Sequence, residues 1–150
     1  MTEGEAPEVS ELLCEAYAWL AEREGLPGEQ TELLQSIRGS VETVRRESQT
    51  ETYVVARDES GIIGLVAVAG NVIRKLYVRP SRHGTGVGRA LYEEAESLIR
   101  LGGHGKVTLG AFPSAVPFYE AMGLRAVSVK ESRGPLAGLR ITLMEKRLES

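Results

Sequence analysis

Apolar residues at Val9, Leu12, Leu13, Ala16 and Leu20 fall at helical spacing after a polar start that ends at Pro7. Gly25-Leu26-Pro27-Gly28 stops that helix. A second stripe, Leu33, Leu34, Ile37, Val41 and Val44, predicts one further helix running to about Arg46, with Gly39 inside it. The period then changes. Thr52 to Arg57 reads as a strand of β-branched and aromatic residues, and Asp58-Glu59-Ser60-Gly61 as a hairpin turn. Ile62 to Ala69 is apolar at nearly every position, as in a strand covered on both faces. Gly70-Asn71 interrupts it, and Val72 to Val78 gives a third strand closed by Pro80. A glycine-rich turn leads into a helix with Val87, Leu91, Ala95 and Leu98 on its inner face, ended by Gly102-Gly103. Lys106 to Leu109 is a short strand and Ser114 to Met122 a short helix stopped by Gly123. Leu124 to Lys130 and Leu139 to Lys146 are the closing strands. This order predicts a single α/β (α+β) domain over residues 1–150, with a central mixed sheet flanked by helices.

A chain of 150 residues holds a core without disulfides or a structural metal. The lone Cys14 excludes an internal disulfide framework and any cysteine-cluster metal site, and it reads as core filler rather than a nucleophile. With His83 and His104 the only histidines, a histidine metal motif is excluded as well, so no metal is expected. No apolar run reaches a membrane span, and the acidic start is unlike a signal peptide, so a soluble, cytoplasmic protein is expected.

Charge changes the picture locally. Residues 1–51 carry 12 acids and 4 bases, whereas residues 70–92 contain Arg74, Lys75, Arg79, Arg82 and Arg89 and no acid. A cationic window inside an acidic protein points to a local anion site, or else to an ordinary solvated face. Nucleic-acid binding is not expected, because Arg45-Arg46 lacks interleaved aromatic residues.

The anion site has a natural place. Leu76-Tyr77-Val78-Arg79-Pro80-Ser81-Arg82-His83-Gly84-Thr85-Gly86-Val87-Gly88-Arg89-Ala90-Leu91 sets three alternating glycines between a strand and an amphipathic helix. Glycine admits positive φ and close approach of a ligand to the backbone, and the helix N-terminus adds amides and dipole that suit a pyrophosphate. There is no Gly-Lys-Ser/Thr, which excludes a Walker-type triphosphate loop. Residues 106–110 contain no acid, which argues against a dinucleotide fold.

This turn, followed by Phe118-Tyr119-Glu120-Ala121-Met122-Gly123-Leu124, resembles the GCN5-related N-acetyltransferase (GNAT) family in order and spacing, over roughly Tyr53 to Lys146. The resemblance implies a mixed, mostly antiparallel sheet with a splayed cofactor cleft, and acetyl-CoA as co-substrate. It implies that Gly84, Gly86 and Gly88, with the amides of His83, Thr85 and Val87, hold the pyrophosphate, flanked by Arg82 and Arg89. Leu76, Tyr77 and Val78 match the strand that pairs with the pantetheine arm, and Tyr119 matches the family's general acid. Two positions depart from the family. His83 replaces its Arg or Gln, which would make side-chain help to the pyrophosphate either weaker or pH-dependent, and Ser114 stands where many members have Asn.

Direct acetyl transfer needs proximity, a polarised carbonyl, a proton for the leaving sulfur and a neutral amine. Tyr119 is the candidate acid, and its other reading is a core aromatic beside Phe118. Glu51 is the candidate base, with Tyr53 or a water chain as alternatives. The expected partner is an amine-bearing acceptor, small molecule or peptide, and the chain is expected as monomer or homodimer. A cofactor-binding module without turnover is the alternative function.

Overall fold

A computed structural model describes residues 1–149. Helix α1 spans Ala6–Glu24, with Val9, Leu12, Leu13, Ala16, Tyr17 and Leu20 on its buried side. It ends at Gly25, whose φ of 68° gives the left-handed cap that only glycine adopts cheaply. The second apolar stripe forms two helices rather than one, α2 over Gly28–Arg38 and α3 over Val41–Glu47. The reason is local. Ser40 begins a new helix by accepting a hydrogen bond from the Thr43 amide at 3.1 Å. The neighbouring Gly39 carbonyl meanwhile receives the Ser10 hydroxyl of α1.

The strands are β1 (Thr52–Asp58), β2 (Gly61–Ala69), β3 (Val72–Val78), β4 (Lys106–Ala111), β5 (Arg125–Glu131) and β6 (Arg140–Arg147). They form one sheet of order β1-β2-β3-β4-β6-β5. Neighbours are antiparallel except β3 and β4, which are parallel. Helix α4 (Val87–Leu101) connects that parallel pair, and α5 (Val116–Ala121) follows β4 after a 3-10 turn.

Strand β2 shows how the layers are divided. Leu65 and Ala67 pack with α1, α2 and α3, whereas Val66 and Val68 pack with Leu91, Ala95 and Ile99 of α4. Alternate side chains of one strand therefore feed two cores, so β2 is apolar throughout. On α4 the expected Leu91 and Ala95 are buried, but the last inward position is Ile99, and Leu98 is only half-buried. Gly64 sets the height of α4 above the sheet, since a Cβ there would lie 2.9 Å from Leu91 Cδ1. Among the described residues, no helix is long and apolar enough to cross a membrane.

Candidate active site

Strands β3 and β4 stay together only at Val72–Thr108 and Ile73–Leu109, with the Thr108 amide donating to Asn71 O at 3.0 Å. Beyond Ile73 they diverge. On its other edge β3 is paired with β2 as far as Gly64–Val78, and the Arg79 amide donates to Ile63 O at 2.8 Å. Backbone groups along an antiparallel strand alternate between its two edges, so Tyr77 faces β2 while Leu76 and Val78 face the gap left by β4. The gap opens into a cleft of about 370 Å³ with largely apolar walls. Ala16, Trp19 and Leu20 of α1 line one side, and Phe112, Phe118 and Tyr119 close another.

At its mouth lies the glycine turn, where the three glycines act differently. Gly84 and Gly86 have φ of 77° and 89°, and a Cβ at either would project into open space. Gly86 is also the N-cap of the fifteen-residue α4. Gly88 has ordinary helical geometry, but a Cβ there would lie 3.4 Å from the Phe118 ring. Gly84 and Gly86 therefore shape the turn, and Gly88 lets α4 meet α5.

Residues 23–148 match the model of the Acetyltransferase (GNAT) domain. The chain belongs to the GNAT acetyltransferase family. Solved structures agree in fold. The GCN5-related N-acetyltransferase of Rhodopseudomonas palustris superposes with a TM-score of 0.90 at 21% identity, covering 99% of this chain and 92% of that one. The PaiA N-acetyltransferase of Thermoplasma acidophilum, in complex with coenzyme A, gives 0.79 at 20% identity, covering 98% and 95%. The apo form of YjaB from Escherichia coli gives 0.76 at 21% identity, covering 97% and 92%. No curated protein matches the sequence.

Most residues expected at a GNAT site are together here. Leu76, Tyr77, Val78, Arg82, His83, Gly84, Gly86, Gly88, Arg89, Ser114 and Tyr119 all line the cleft. Thr85 and Val87 lie in the turn but not on the cleft wall. The Thr85 hydroxyl donates to Arg82 O at 2.5 Å, and Val87 packs toward Gly64. His83 Nε2 is 3.0 Å from Val78 O, so an Nε2–H donates to it, and the ring stands edge-on to Trp19. Arg23 in turn stacks over Trp19, 4.3 Å from the ring centroid. The Ser114 amide donates to Glu24 Oε1 at 2.8 Å, tying the turn after β4 to the end of α1.

Both turn arginines are braced from outside the cleft. Arg82 meets Asp58 Oδ2 at 2.6 Å and Arg89 meets Glu93 Oε1 at 3.2 Å. Hydrogen bonds from the Ser60 side chain and amide, together with Arg82, hold Asp58 below the ordinary carboxylate range. Tyr119 is buried, and desolvation, reinforced by Tyr77 and Tyr92, pushes its phenol well above the usual tyrosine range.

The structure does not bring Glu51 to the cleft wall. Glu51 Oε1 lies 3.0 Å from Lys75 Nζ, which also meets Glu47 Oε1 at 2.7 Å and sits 5.1 Å from the Tyr53 ring centroid. Tyr53 is buried beneath that ammonium, and it too is absent from the wall. No carboxylate lines the cleft among the described residues. Lys75 and Arg74 do line it, as does Trp19. The acid-free window signalled the two cations, whereas nothing in the local pattern around Trp19 marked it. Among the described residues, no group of three or more His, Cys, Asp and Glu side chains converges to hold a metal ion.

Lys75 has a testable structural role. Burial alone would lower its pKa, but the hydrogen bonds it donates to the Glu47 and Glu51 carboxylates, with Tyr53 beside it, raise it above the usual lysine value. Its contribution to stability is therefore complete below the unfolded-state lysine pKa and is lost only as pH rises through the raised value. Lys75→Met leaves Glu51, 6% exposed, without its ammonium. Half-exposed Glu47 relaxes toward water, so the expected loss is about 2 kcal/mol, below the range for fully buried pairs. Urea unfolding at neutral pH measures it, and adding Glu51→Gln should recover part of the loss.

Proposed function

We propose that this chain, acting as one domain, transfers an acetyl group from acetyl-CoA directly to a primary amine. The observation that carries the reading is the continuity of one cleft. It begins at two positive-φ glycines on a helix N-terminus, follows the edge of β3 left open by β4, and reaches the buried Tyr119 on α5. That sequence of features fits acetyl-CoA: amides for a pyrophosphate, an extended edge for an amide-bearing arm, and apolar walls for the thioester.

Bound there, acetyl-CoA supplies an activated acyl group. The chain's own residues then have separable tasks. The amides of the turn, with Arg82 and Arg89, hold the phosphates. The edge-facing backbone of Leu76 and the Val78 amide fix the arm, the Val78 carbonyl being held by His83, and an amide on this edge polarises the thioester carbonyl. Tyr119 keeps its proton at neutral pH, because burial penalises the phenolate, and delivers it to the departing sulfur. The acceptor nitrogen attacks as the neutral amine and loses its proton to water, a reading supported by the carboxylate-free wall.

The test combines calorimetry with thiol release. One acetyl-CoA should bind per chain, and an amine panel should include acceptors that accelerate coenzyme A release. Binding without release for any amine would identify a non-catalytic module, and absence of binding would reject the cofactor assignment.

A further inference from the structure

Arg74 is the first residue of β3 beyond the last β3–β4 pair, so it stands where the splay begins. It is also the extra residue of an irregularity, since β2 passes from Ala67–Lys75 to Val68–Ile73 and leaves Arg74 unmatched. Its side chain lines the cleft and is 53% exposed. Val78 is four steps further along the strand, about 13 Å of extended chain. An anion held by the glycine turn is therefore out of its reach.

Arg74 differs from the other cleft arginines. Arg82 and Arg89 are each engaged by an acid within 3.2 Å. The acid nearest Arg74 is Glu51, whose Oε2 lies 3.9 Å from Nε, while its Oε1 is taken by Lys75. Both Nη groups of Arg74 lack a partner among the described residues. The charges are also layered. Glu47 and Glu51 lie behind the wall, whereas Arg74 and Lys75 are on it. Glu51 thus steadies the inner edge of the guanidinium and leaves its outer fork to a ligand. A planar fork with two adjacent N–H donors matches a carboxylate bidentately. Trp19, Leu20 and Phe112 give the same cleft an apolar lining.

Resting on the acetyltransferase reading above, we propose that the acceptor is an amine that also carries a carboxylate, of the amino-acid type with an apolar body, and that Arg74 binds that carboxylate. Amines bearing a second positive charge are disfavoured, because the wall carries Arg74, Lys75, Arg82 and Arg89 and no acid.

The experiment compares matched pairs at saturating acetyl-CoA. Leucine, phenylalanine, β-alanine and γ-aminobutyrate are each assayed against the corresponding carboxamide, with spermidine as a polycation. For the wild type, kcat/KM for the preferred acid should exceed that for its amide at least tenfold. In Arg74→Gln this ratio should fall to near one, through a higher KM for the acid, with acetyl-CoA affinity unchanged. Arg74→Lys should recover part of the preference. The proposal is overturned if amides or spermidine are acetylated as well as the acids, if no acid in the panel is acetylated, or if Arg74→Gln affects acid and amide alike. Acetylation of carboxylate-free amines alone would sink this inference and leave the acetyltransferase reading standing. Absence of acetyl-CoA binding by calorimetry would reject that reading, and this inference with it.

Discussion

Replacing Gly86 with valine is expected to weaken acetyl-CoA binding about a hundredfold, roughly 2.7 kcal/mol. Two effects combine. The native φ of 89° suits glycine, and a β-branched residue held there costs about 1–3 kcal/mol. The turn would relax away from that geometry and carry its amides with it. The added side chain would also project into the open space above the turn, where a pyrophosphate must meet the backbone. Gly86→Ala separates the two effects, since it keeps most of the strain and little of the bulk. Calorimetry on wild type and both variants decides the matter, and an unchanged affinity for Gly86→Val would remove the cofactor from this turn. Gly88→Ala serves as a contrast, because Gly88 has no positive φ to strain and its Cβ would meet the Phe118 ring at 3.4 Å, the edge of ordinary contact.

For Tyr119→Phe the expected loss lies in kcat, roughly tenfold to a thousandfold, with acetyl-CoA affinity and folding little changed. The ring packs against Phe118 at a centroid distance of 5.1 Å, and phenylalanine retains that contact. The removed hydroxyl matters only as sulfur gains negative charge, so the effect belongs to the transition state. The pH profile offers a second check. Desolvation raises the Tyr119 pKa, so its proton is retained as pH climbs through the ordinary tyrosine range. The wild-type rate should therefore show no alkaline decline attributable to Tyr119 below pH values well above 10. A variant with full kcat under chemistry-limited conditions would make the tyrosine a packing residue and leave water to protonate the thiolate.

Periodicity made the sheet and the long helices legible because one side-chain pattern serves one packing face. β2 is the clearest example, with alternate residues buried in two cores. The same logic merged α2 and α3, since the apolar stripe continues across Gly39 while the backbone does not. The break is made by Ser40, whose hydroxyl accepts from the Thr43 amide and starts α3. The glycine turn was readable as a site, although its three glycines proved to have two different physical reasons. What sequence could not supply was pairing across the fold. Glu51 has no partner nearby in sequence, yet Lys75 of β3 holds its carboxylate at 3.0 Å. The cationic window contains Arg79, which is spent on α1, where Glu15 Oε2 lies 2.7 Å away. The Trp19–His83 contact joins α1 to the turn across more than sixty positions, and no local signal predicts it.

The splay between β3 and β4 bears on how the chain folds. Two antiparallel units, β1-β2-β3 and β4-β6-β5, meet at only two residue pairs. Tight turns connect the strands of the first unit, so its loops close at small entropic cost, whereas joining the units spans the whole α4 crossover. The first unit should therefore acquire protection early, and the seam should close late. The Thr108 amide, bonded to Asn71 O across that seam, is its reporter. In pulse-labelled hydrogen exchange during refolding it should gain protection after the amides of β2, and simultaneous protection would mean that both halves of the sheet form as one nucleus.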